Sequence, residues 1–110
     1  MQLGNCIGWA IHTHRYSLQP LVVLVPPFDV ERARYFVAVS LPSGSVGTGR
    51  SWRTPQGRRV TVVSYLDDPL SNYEFDLVLC CGGKGMGEKD MVGIRQWRET
   101  CHTELQPWEL

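Results

Sequence analysis

Between Cys80 and Asp90 the chain reads CCGGKGMGEKD, in which four glycines and two lysines join an apolar run to a helical pattern. Free backbone N–H groups at the start of a helix can hold an anion, which makes Gly83, Lys84, Gly85 and Gly87 a candidate phosphate cradle. The spacing argues against a specific one. A nucleotide P-loop places Gly-Lys-Ser/Thr after glycine and four intervening residues, whereas Gly82 is followed there by Gly87, Glu88 and Lys89. A carboxylate thus stands where the lysine belongs. The dinucleotide-binding glycine pattern fares no better, because only about twenty residues remain to complete its strand-helix-strand unit. The plainer reading is a connecting loop that lets the last strand turn into the helix.

His12 and His14 stand two apart and would share one side of a strand, as two metal ligands can. A third ligand at metal-site spacing is missing, and no Cys-x-x-Cys pair occurs. Cys101 and His102 are adjacent, about a hundred degrees apart on a helix, and so are poorly placed as nucleophile and base. These residues predict neither a catalytic set nor a bound metal or cofactor.

The segment GRSWRTPQGRRV gathers Arg50, Arg53, Arg58 and Arg59 around Trp52 with no acidic residue among them. Arginine offers a planar fork of donors, and arginine with an interleaved aromatic either anchors a protein interface or grips phosphates and stacks on bases. The five residues therefore form the predicted partner-binding surface. In the plainer reading Trp52 enters the core, and the arginines face water or pair with the acidic group Asp67, Asp68, Glu74 and Asp76.

The elements that would position these groups follow from periodicity. Cys6 to His14 alternates as a strand would, LVVLV from Leu21 to Val25 suits a central strand, and YFVAVSL from Tyr35 to Leu41 reads as another. FDVERAR between them is read as one helical turn or a wide loop. Thr54-Pro55-Gln56-Gly57 has proline and glycine where a turn needs them, predicting a hairpin between Arg50–Arg53 and Arg58–Leu66. YEFDLVLCC alternates again. From Glu88 or Asp90 onward Met91, Ile94, Trp97, Cys101 and Leu105 form the stripe of a helix, which Gly93 weakens and acidic first-turn residues favour.

Five to six strands and one C-terminal helix predict an α+β fold, with a mainly antiparallel curved sheet or small barrel. Short connections argue against parallel pairing, which needs long crossovers. A chain of 110 residues is read as a single domain, 1–110. Eleven basic residues balance eleven acidic ones, so the global charge expected of a duplex-binding or membrane-surface protein is missing. The N-terminal segment lacks a signal-peptide core, and LVVLV is too short to span a bilayer, which predicts a cytoplasmic protein. The four cysteines are accordingly expected to be reduced.

Site poverty and segregated charge favour a small non-enzymatic interaction protein of the binder or inhibitor type, such as viral or phage accessory factors, with a protein partner. A single-stranded nucleic-acid binder using the Arg/Trp hairpin is the second reading. A small enzyme using the His and Cys groups near the glycine loop is the third.

Overall fold

The structure, a computed structural model, describes residues 2–67, 75–79 and 87–100. Helix α1 (Leu3–Thr13) leads to strand β1 (Leu21–Val25), a 3-10 turn (Pro27–Asp29) and helix α2 (Val30–Ser40). Strands β2 (Val46–Gly47), β3 (Ser51–Arg53), β4 (Arg59–Ser64) and β5 (Asp76–Leu79) follow, then helix α3 (Glu88–Thr100). The five strands form one mixed sheet in the order β2-β3-β4-β1-β5.

β1 lies between β4 and β5 and is parallel to both, while β2, β3 and β4 pair antiparallel. This corrects the expectation of an antiparallel curved sheet or closed barrel with a single helix. Parallel pairing is possible because α2 and the β2-β3 hairpin together supply the long crossover that it needs between β1 and β4. Helices pack on both faces of the open sheet around β1. Leu21, Val23 and Val25 pack with Leu3, Ile7, Ala33 and Val37 of the first two helices, whereas Val22 and Leu24 pack with Phe75, Leu77, Ile94 and Trp97. Burial of every side chain in β1 on one face or the other explains its uninterrupted LVVLV sequence.

Two predicted strands are helices. In α1, Leu3, Ile7 and Ala10 recur at helical spacing and are fully buried, so the alternation of Ile7, Trp9 and Ile11 was coincidental. In α2, Ala33 and Val37 are buried four apart while Tyr35 and Val39 face solvent, so the β-branched and aromatic composition misled. Gly4 lets the two helices close: a Cβ there would come within 2.7 Å of the Phe36 ring. The predicted hairpin is present, with Gly57 N–H donating to the Thr54 carbonyl at 2.8 Å and Gly57 at φ 87°. The predicted C-terminal helix is present too. Ile94 and Trp97 are its buried residues, Met91 is exposed, and Cys101 and Leu105 lie outside the described residues.

Candidate functional site

Strand register decides where each arginine of the hairpin goes. Trp52 pairs with Val60, and both enter the core shared with α1 and α2. Arg53 pairs with Arg59, so alternation sends both to the opposite face, where both are exposed. Val46 of the edge strand pairs with Arg53 and completes a row of three across β2, β3 and β4. Among the described residues, neither Arg53 nor Arg59 has an acidic partner. Arg53 Nη1 instead donates to the Gly57 carbonyl at 3.0 Å. Ser51 and Thr61, two register positions further along and so on the same face, touch through their hydroxyls at 3.3 Å and continue the polar face. Arg50 is exposed beside them.

Arg58 has a different role. It is in phase with Val60 and Val62 on the helix-covered face, and only 7 % of it is exposed. Leu21 lies between Val60 and Asp76, so the Arg58 side chain passes the start of β1 and reaches the Asp76 carboxylate, Nη2 to Oδ2 at 3.0 Å. Nε donates to the Gln19 carbonyl at 2.7 Å and Nη1 to the His14 carbonyl at 2.6 Å. Asp76 also accepts from Ser17 Oγ at 2.8 Å, and its N–H donates to the Pro20 carbonyl at 2.8 Å. One guanidinium thus ties the end of α1, the loop into β1 and the first residue of β5 together. Burial pulls the pKa of Arg58 below its ordinary value, with Asp76 opposing that shift.

Of the predicted partner-binding residues Arg50, Trp52, Arg53, Arg58 and Arg59, only Arg50, Arg53 and Arg59 reach the surface. Trp52, 8 % exposed, spans the flat stretch opposite Gly47, where a Cβ would overlap its ring. The acidic group is dispersed as well. Asp76 is engaged with Arg58, and Asp67 Oδ2 accepts the Ser64 N–H at 2.7 Å within a turn. Asp68 and Glu74 lie outside the described residues.

For the predicted anion cradle, Gly83, Lys84 and Gly85 lie outside the described residues, as do Cys80, Cys81 and Cys101. Gly87 is described, and its N–H faces a carboxylate of the chain itself, Asp90 Oδ2 at 3.3 Å. Asp90 Oδ1 accepts from the Tyr65 hydroxyl at 2.5 Å, a bond that raises the tyrosine pKa. Cys6 is in no disulfide among the described residues, and its thiol donates to the Leu79 carbonyl at 3.9 Å.

His12 and His14 do not share a face, because α1 is a helix and positions two apart diverge. His12 is exposed, whereas His14 caps α1 with Nδ1 3.6 Å from Asp76 Oδ2. Burial lowers the pKa of His14 from 6.5, with Asp76 opposing and Arg58 reinforcing the shift. Since the folded pKa lies below the unfolded one, the unfolded chain binds more protons as pH falls, and stability drops below about 6.5. Melting temperatures at pH 7.5 and 5.5 should therefore differ more in the parent than in a His14→Gln variant.

No protein family, curated protein or solved structure matches the chain. Among the described residues there is no group of three or more His, Cys, Asp or Glu able to hold a metal ion, and no helix is long and apolar enough to cross a membrane.

Proposed function

We propose that this protein is a non-enzymatic interaction protein whose binding surface is the open face of the β2-β3-β4 hairpins, and that its partner is a protein presenting carboxylates. The observation carrying this reading is the direct pairing of exposed Arg53 with exposed Arg59. Like charges directly opposite one another destabilise a sheet, so the pair adds nothing to folding. It suits a partner whose acidic groups would relieve that repulsion on binding. Val46, 74 % exposed in the same row, adds an apolar contact beside the arginines.

The nucleic-acid reading is weaker because its stacking ring is gone. Trp52 faces the helices, so the ring expected to stack on bases is not on the arginine face. The enzyme reading has less support still, since the described histidines diverge.

An Arg53→Ala, Arg59→Ala double variant is expected to keep the parent's stability within about 0.5 kcal/mol, because exposed charges contribute little. An oligo-glutamate peptide and oligo-dT of equal charge serve as probes at physiological salt. The parent should bind the peptide more tightly, and the double variant should lose that binding. Tighter binding of oligo-dT would favour the nucleic-acid reading instead.

A further inference from the structure

We propose a second site on the other side of the sheet: the cavity between the end of α1, the end of α2 and the β3-β4 turn binds a short-chain aliphatic carboxylate. The cavity holds about 100 Å³. Leu21, Leu41 and Val60 give it an apolar lining, and Thr54, Arg15 and Arg58 supply donors. No Asp or Glu among the described residues lines it. This asymmetry selects for a ligand with an apolar body and a negative head.

Arg58 is the built part of the site. A guanidinium has five N–H groups. Arg58 commits one from Nε to Gln19, one from Nη1 to His14 and one from Nη2 to Asp76, leaving one on each terminal nitrogen. Those bonds fix the side chain before a ligand arrives, so little rotamer freedom is lost on binding. Thr54 Oγ1 accepts from the Arg58 N–H at 3.1 Å and keeps its own proton to donate. Arg15 also lines the cavity and is exposed, with its guanidinium stacked on Tyr16 at 4.5 Å and bonded to the His12 carbonyl at 2.7 Å. Two arginines therefore line one small cavity.

Size sets the chain length. A dry cavity of about 150 Å³ accommodates benzene, so the smaller space here suits about three to five carbons. The site is separate from the arginine face, because Arg58 and Val60 project toward the helices while Arg53 and Arg59 project away. Either site can fail without the other.

The test is an amide-resolved NMR titration of the full chain with sodium butanoate, compared with butan-1-ol in matched sodium chloride. Butanoate should shift the amides of Leu21, Leu41 and Val60 saturably, and butan-1-ol should bind about tenfold more weakly for lack of the charged head. An Arg15→Gln variant, altered only at an exposed side chain, should bind butanoate less tightly while melting at the parent's temperature. The proposal is overturned if butanoate gives no saturable shift at these residues, if butan-1-ol binds equally well, or if Arg15→Gln leaves butanoate affinity unchanged.

Discussion

An Arg58→Ala variant is expected to lose about 3–5 kcal/mol of folding stability, the cost of breaking a buried charge pair by removing one partner. The cost arises on three sides at once. Asp76 would keep its charge without its cation, and the His14 and Gln19 carbonyls would lose their charged donor. The Asp76 side chain is 18 % exposed, so water can reach it in part and the loss should fall toward the lower end of that range. For a domain with a total stability of about 5–15 kcal/mol, this is a large fraction. Urea unfolding followed by circular dichroism measures it, and a loss below about 1 kcal/mol would mean that the pair behaves as an exposed one. Arg58 therefore has no place in a set of variants meant to probe binding alone.

Trp52→Ala should cost a comparable amount, about 3–5 kcal/mol, through lost apolar burial and the cavity left behind. Trp52 is 8 % exposed within the cluster that joins β3 and β4 to the first two helices. Its ring occupies space that Gly47 leaves free, and no neighbouring side chain on β2 can expand to replace it. Were Trp52 instead a partner contact, its loss would weaken binding and leave unfolding nearly unchanged. The same urea experiment separates the two, since a variant within about 0.5 kcal/mol of the parent would place the ring at the surface.

The parts of the fold that were legible in the sequence had strong local signals. Thr54-Pro55-Gln56-Gly57 specified its turn, LVVLV its central strand, and Ile94 with Trp97 the buried side of the last helix. The first two helices were misread because short segments rich in Ile, Val, Tyr and Phe satisfy both periods. What decides between them is tertiary packing, here Gly4 against Phe36 and Ala33 with Val37 under the sheet. Parallel pairing was hidden for the same reason, since missing α2 removed the crossover. The Arg58–Asp76 pair left a fainter trace. Arg58 is in phase with Val60 and Val62, and Asp76 with Val78, so both charges fall on core-facing positions. Nothing local indicates that these two positions meet.

Arg53 and Arg59 are proposed as a binding surface for a carboxylate-bearing protein. Affinity capture from cells of the native source, with the parent chain and an Arg53→Glu, Arg59→Glu variant compared by quantitative mass spectrometry, tests it most directly. The account predicts that the proteins enriched by the parent are depleted at least about tenfold by the charge-reversed chain, because like-charge juxtaposition at an interface costs several kcal/mol. Recovery of the same proteins in equal amounts by both chains, with the variant shown to be folded, would contradict it.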